Sequence, residues 1–395
     1  MNDESRSADA RNLVVFADGT GQDGGLAHNT NIYRMFWMAE DRTQRQLCYY
    51  HPGVGTSRIT RVLGLASGLG FGANVRACYH FLHEEYRAGD RIFLFGFSRG
   101  GATARSLAYF IHLFGILPRS RRRLVERAWD IYTIRDPAVR QQRATEFVEA
   151  NPTMWTNVHF LGCFDTVAAL GAPYQWASRV IDRLPGCKHR FHDMRLSPSV
   201  VHAFHALALD DERRTFHPLL WDPLEQELNM GSDERDPLAC RTLRQVWFAG
   251  VHSDVGGGYA KRELADIPLT WLTRQAVHHG LRIYTKHRVA IAEDVDGQMH
   301  DARAGLWRIY RRARRVWDAD RLDHPVLHES ATKRMRDHTN RGAGYSPWLK
   351  NHNPEIEPWD RYRAGEWTEP PAPMAPSPSP RADLTDRSQV RSEPS

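Results

Sequence analysis

Apolar residues in this chain gather in short continuous runs, each closing on glycine or a polar side chain. Leu13-Val14-Val15-Phe16-Ala17 ends at Asp18-Gly19-Thr20, and Leu47-Cys48-Tyr49-Tyr50-His51 forms a second run. Arg91-Ile92-Phe93-Leu94-Phe95 leads directly into Gly96-Phe97-Ser98-Arg99-Gly100. Residues 158–164 and 246–250 repeat the form and are followed by Asp165 and His252. Strands buried on both faces of a parallel sheet read this way, because neither face alternates with solvent. Between the runs the spacing turns helical, over residues 30–39, 74–86 and 102–114. Val75, Tyr79, Leu82 and Tyr86 share one face of the second segment. The alternation predicts an α/β fold: a mainly parallel central sheet with helices on both faces.

Polar, helix-prone insertions interrupt this pattern at 119–149, and an irregular one at 171–199. Further helices are expected over 285–345. Residues 303–317 would form a basic amphipathic helix, with Leu306, Ile309, Ala313, Val316 and Trp317 on one face and Arg308, Arg311, Arg312, Arg314 and Arg315 on the solvated other. From Glu369 the chain is rich in Pro, Ser and Arg and cannot bury enough apolar surface to offset its ordering entropy. The expected organisation is a disordered 1–11, a catalytic domain at 12–290, a helical extension at 291–368 packed on it, and a disordered tail at 369–395.

Ligands of parallel sheets bind beyond the carboxyl ends of the strands. Asp18, Ser98, Asp165 and His252 all follow strand ends and should therefore share one rim. Gly96-x-Ser98-x-Gly100 between a strand and a helix has the form of a nucleophile elbow, where a tight turn holds a serine hydroxyl clear of the backbone. A serine needs a base, and His252, at the start of a flexible glycine-rich loop, is the best placed histidine. Asp165 is favoured as the acid that orients the imidazole, and the order Ser98, Asp165, His252 is that of α/β-hydrolases. Asp254 and the Asp210-Asp211-Glu212 cluster are the alternatives. Backbone N–H groups of Arg99 and Gly19 would hold the oxyanion, with Asp18 and Thr20 bracing the loop. The glycines Gly96 and Gly100 and the carboxylate of Asp254 would support the site.

Phe16-Ala17-Asp18-Gly19-Thr20-Gly21, Gly96-Phe97-Ser98-Arg99-Gly100-Gly101-Ala102, Phe164-Asp165-Thr166-Val167 and Gly250-Val251-His252-Ser253-Asp254-Val255-Gly256-Gly257-Gly258-Tyr259 together resemble the type VI secretion phospholipase effector family. The likeness spans roughly residues 12–280. It implies an α/β-hydrolase fold, a triad falling on Ser98, Asp165 and His252, and ester hydrolysis on glycerophospholipids. It also implies export by a contact-dependent system, with an unidentified immunity or secretion partner. A soluble-substrate esterase and a non-catalytic binding protein on the same fold are the alternatives.

Composition then narrows the partners. The 395 residues carry 53 Lys+Arg against 47 Asp+Glu, a net charge of +6. The surplus is mild, and no nucleic-acid-binding module accompanies it, so a lipid or other ester substrate and peripheral contact with an anionic membrane are expected rather than nucleic acid. Five cysteines form no CxxC pair, which argues against a disulfide framework. Neither an HExxH motif nor a phosphate-binding glycine loop occurs, and His202-x-x-His205, expected on a helix, is weak alone; no metal or cofactor is called for. Residues 1–11 lack an apolar leader core, and no apolar stretch is long enough to span a bilayer, so the protein is expected to be cytoplasmic as made.

Overall fold

The computed structural model describes residues 10–19, 28–53, 70–167, 194–222, 242–284, 290–318 apart from 306, 307 and 309, and 321–359 apart from 322 and 341–343. Each of the five apolar runs forms a strand, and three more join them. They are β1 (Asn12–Ala17), β2 (Gln46–His51), β3 (Arg91–Phe97), β4 (Val158–Phe164), β5 (Val200–Ala208), β6 (Thr242–Phe248), β7 (Val326–His328) and β8 (Glu355–Glu357). Together they form one sheet in the order β2-β1-β3-β4-β5-β6-β7-β8, with every neighbouring pair parallel. The helices are α1 (Asn31–Met38), α2 (Phe71–Glu85), α3 (Arg99–Phe114), α4 (Arg123–Tyr132), α5 (Pro137–Ala150), α6 (His252–Gly256), α7 (Glu263–His278) and α8 (Glu329–Asn340).

Successive strand residues point to opposite faces, so continuous apolar runs feed two cores. Leu13, Val15, Ile92 and Leu94 face a core closed by residues of α2, α3, α4 and α5. Val14, Phe16, Phe93 and Phe95 face another, closed by α1 and α7. On that second face Phe16, Phe95, Phe160 and Phe204 form a row across four strands, with ring centroids 5.1, 5.5 and 5.2 Å apart. Such contacts contribute about 0.5–1.5 kcal/mol each beyond burial and stiffen the strands that end at the site. Strand order reverses at β1, which has β2 on one side and β3 on the other. The crevice beyond the carboxyl ends of β1 and β3 is therefore where a ligand is expected.

The structure corrects several sequence expectations. His202 and His205 lie on β5, not on a helix; all nine residues of this strand are buried at the centre of the sheet. Residues 291–368, expected as a helical extension, contribute α8 but also β7 and β8, which continue the sheet. The described part of 303–317 is not an α-helix. Its later half runs extended beside residues 212–214, with an Arg213–Arg312 bridge, Ala313 N–H donating to Glu212 O (2.7 Å) and Arg214 N–H to Arg311 O (3.0 Å). A helix would stack Arg311 on Arg314 and Arg315, a like-charge arrangement. The extended chain instead sends Arg312 to Glu212 and Arg315 to Asp165. Residues 1–9, the insertion up to residue 193 and the tail from Glu369 lie outside the described residues. Among the described residues no helix is long and apolar enough to cross a membrane, and Cys48, Cys78 and Cys163 are free thiols.

Candidate active site

Ser98 stands between β3 and α3 with φ 57° and ψ −120°, in the left-handed half of conformational space that a non-glycine residue enters only under constraint. The constraint is the packing of the turn. A Cβ on Gly96 would lie 2.3 Å from the Gly100 carbonyl oxygen, and one on Gly100 would lie 2.0 Å from that of Ala17. Only hydrogen fits at either place, so both flanking glycines are required for the strand to turn into the helix. Ser98 N–H donates to Phe164 O (3.0 Å), which ties the turn to the end of β4. Arg99 opens a 16-residue helix, and the first N–H groups of a helix have no partner inside it. The helix dipole adds partial positive charge at the same place.

Asp165 follows β4 directly, is fully buried, and also has positive φ (36°). Its Oδ2 accepts from His252 Nδ1 at 2.6 Å. Oδ1 accepts from the Ala208 N–H at 3.0 Å. Burial alone would raise the pKa of this carboxyl. The charge of Arg315 and the bonds from His252 and Arg315 outweigh that and hold it far below the usual carboxylate range. His252 opens the short α6 after β6, and its N–H donates to Asp211 Oδ2 at 3.1 Å. Its ring packs on Phe97, the neighbour of Ser98, at 4.6 Å between centroids, and on Phe216 at 5.2 Å. Burial lowers the pKa of the imidazole, and the bond to Asp165 partly opposes this. Burial thus favours the neutral imidazole, with Nδ1 turned to the Asp165 carboxylate.

The alternatives to Asp165 have other partners. Asp254 accepts from His300 Nδ1 at 2.6 Å and from the N–H groups of Val251 and His300, both at 3.1 Å. It fixes the loop around His252 rather than the imidazole. Asp211 is paired with Arg213, and Asp210 accepts from the Gly250 N–H (2.7 Å) and Tyr345 (3.0 Å). Asp18 is buried after β1, where its carboxylate accepts from the hydroxyls of Thr30 (2.6 Å) and Tyr50 (2.8 Å) and from the Gly19 N–H (2.6 Å). Burial outweighs these bonds and pushes its pKa up to about 6. The Gly19 N–H therefore faces Asp18, and serving as an oxyanion donor would require it to give up that bond. Thr20 lies outside the described residues.

One residue of the site escaped the sequence reading. Arg315, expected on a solvated basic face, is 2% exposed and grips both oxygens of Asp165, Nη1 to Oδ1 at 2.7 Å and Nη2 to Oδ2 at 2.8 Å. The available signal was negative: five arginines within 308–315 and no acid among them argue against a helix and for acceptors elsewhere. Among the described residues no group of three or more His, Cys, Asp and Glu side chains could hold a metal ion.

An uncharacterized protein of Saccharomyces cerevisiae, YEL023C, is 29% identical over 248 residues, 57% of this chain and 34% of that protein. The chain thus spans about a third of the length of this curated relative. Two solved structures are similar. One is an uncharacterized protein from Pseudomonas aeruginosa (19% identity, TM-score 0.37, 73% of this chain and 49% of that one). The other is a Tle1 effector bound to the VgrG spike of the type 6 secretion system (20% identity, TM-score 0.35, 64% of this chain and 52% of that one). Residues 11–275, which carry the elbow, Asp165 and His252, match the family described as T6SS phospholipase effector Tle1-like, catalytic domain, and the chain belongs to that family.

Proposed function

We propose that this protein is a serine ester hydrolase of the phospholipase or lipase type, working through Ser98, His252 and Asp165. The observation that carries the reading is the 2.6 Å bond from His252 Nδ1 to the buried Asp165, on the same sheet edge as the constrained Ser98 turn. Neutral His252 takes the Ser98 proton on Nε2 as Oγ attacks an ester carbonyl. Asp165 holds the ring orientation and stabilises the imidazolium. The developing oxyanion is met by the Arg99 N–H at the α3 terminus, and by the Gly19 N–H once it leaves Asp18. His252 then protonates the leaving alcohol, and water cleaves the acyl-enzyme by the same route in reverse.

Family membership supports a phospholipid as substrate and delivery through a contact-dependent secretion system. Arg311, Arg312 and Arg314 lie exposed on the extended strap, residues 311–316, that carries Arg315; Arg312 and Arg314 pair with Glu212, and Val316 next to them is 73% exposed. A basic segment with a projecting apolar side chain supports peripheral contact with anionic lipid. The test is incubation with mixed phosphatidylethanolamine and phosphatidylglycerol vesicles, in parallel with soluble short-chain esters and with Ser98→Ala as control. Fatty acid release from vesicles that vanishes in Ser98→Ala is expected. Turnover of soluble esters alone would overturn the phospholipase assignment.

A further inference from the structure

Arg315 comes from a part of the chain well beyond residue 275, where the family match ends. It nonetheless reaches the centre of the site. Its guanidinium is buried, both Nη atoms contact Asp165, and they also donate to the carbonyl oxygens of Ala208 and, at 2.6 Å, Phe216. The strap that delivers it is bridged to residues 212–214, and Tyr310 packs on Phe216 at 5.6 Å, behind the ring that touches His252. A buried guanidinium is costly unless paired and bonded. Here it is spent on the carboxylate that accepts from His252 Nδ1.

We propose that Arg315 is the positioning residue for the catalytic acid, and that the catalytic unit therefore includes the strap through this residue rather than ending near 290. The inference rests on the triad reading above. A planar fork binding both oxygens fixes the rotation of the carboxylate and so aims Oδ2 at His252 Nδ1. Its positive charge also disfavours proton uptake by the Asp165–His252 pair, which titrates as a unit. Among the described residues, the other ionisable groups facing the pair are Asp211 and Arg213 after β5, and His205 of β5, which burial and neighbouring cations keep neutral. Asp210 acts on Arg315 from the same side as Asp211.

The sign follows. Removing the Arg315 charge raises the pH at which the pair takes up its proton, so the acid limb of kcat/KM moves up. Substituting lysine keeps the charge, which leaves the limb in place, but loses the fork. The experiment measures hydrolysis of a soluble p-nitrophenyl ester by the full chain from pH 4 to 9, with Arg315→Met, Arg315→Lys and Ser98→Ala. Thermal melts establish folding of each. In Arg315→Met, kcat should fall about 10²-fold, the scale of a misplaced catalytic group. Its acid limb should rise by about one pH unit. In Arg315→Lys, kcat should fall about tenfold with the limb within a few tenths of a unit of wild type. A folded Arg315→Met with an unmoved limb overturns the proposal. Where the methionine variant fails to fold, Arg315→Lys decides: native kcat overturns the proposal, and a lowered kcat with an unmoved limb supports it. Activity surviving in Ser98→Ala would instead sink the triad reading underneath.

Discussion

Replacing Asp165 by asparagine removes one charge and one acceptor from a carboxylate that now takes bonds from His252 Nδ1, Ala208 N–H and two Nη atoms of Arg315. An amide offers one oxygen and one NH2. If its oxygen faces His252, the NH2 meets the donors of Arg315 and Ala208. If it turns over, the NH2 faces Nδ1 and forces the proton onto Nε2, the tautomer that cannot accept from Ser98. Loss of the correct tautomer costs about 10⁴-fold in kcat in serine hydrolases, or about 5 kcal/mol of transition-state stabilisation. The same change strands the Arg315 charge in the interior, and breaking a buried ion pair from one side costs about 3–5 kcal/mol of stability. The assay is ester hydrolysis at a temperature well below the unfolding midpoint of the variant, with a urea titration alongside. Asp254→Asn is the control. It disturbs His300 and the loop but leaves His252 its partner, so kcat should stay within about tenfold of wild type. The reasoning is refuted if Asp165→Asn keeps kcat within tenfold of wild type, or if Asp254→Asn loses as much as Asp165→Asn.

Gly100→Ala, which would place a methyl 2.0 Å from the Ala17 oxygen, should cost more than about 2 kcal/mol in a urea titration; a near-native midpoint would show that the turn can relax. Asp18 has its pKa raised from 3.8 to about 6 by burial, so the folded state binds its proton more tightly than the unfolded chain. Wild type should then lose stability relative to Asp18→Asn as pH rises from about 4 to 6, by up to about 3 kcal/mol. Parallel melts at pH 4, 5, 6 and 7 test this, and a constant difference would contradict it. Because burial lowers the pKa of His252, the acid limb of wild-type kcat/KM should fall below the ordinary imidazole value of 6.5; a limb at or above it would place the base in a more solvated setting.

The central strands were legible because β1, β3, β4 and β6 carry apolar runs whose ends are marked by Asp18, Ser98, Asp165 and His252. β5 was missed for a definite reason. His202 and His205, three apart, imitate helical spacing, and only the neighbours β4 and β6 show that the segment is a buried strand. β7 and β8, three residues each, are too short to express any period. At the site, strand ends pointed to Ser98, Asp165 and His252. Choosing between Asp165 and Asp254 needed the partner of each, and that of Asp254, His300, is distant in sequence. Arg315 was hidden by its own neighbours, since a run of arginines reads as solvated surface. What separates it from Arg312 and Arg314 is a tertiary contact with Asp165.

The claim beneath all of this is that Ser98 is an activated nucleophile. Intact-mass spectrometry after incubation with a fluorophosphonate tests it most directly. A single adduct mapping to Ser98, abolished in Ser98→Ala and slowed in Asp165→Asn, is the predicted result. Folded wild-type protein that gains no adduct, or an adduct that persists in Ser98→Ala, would contradict it.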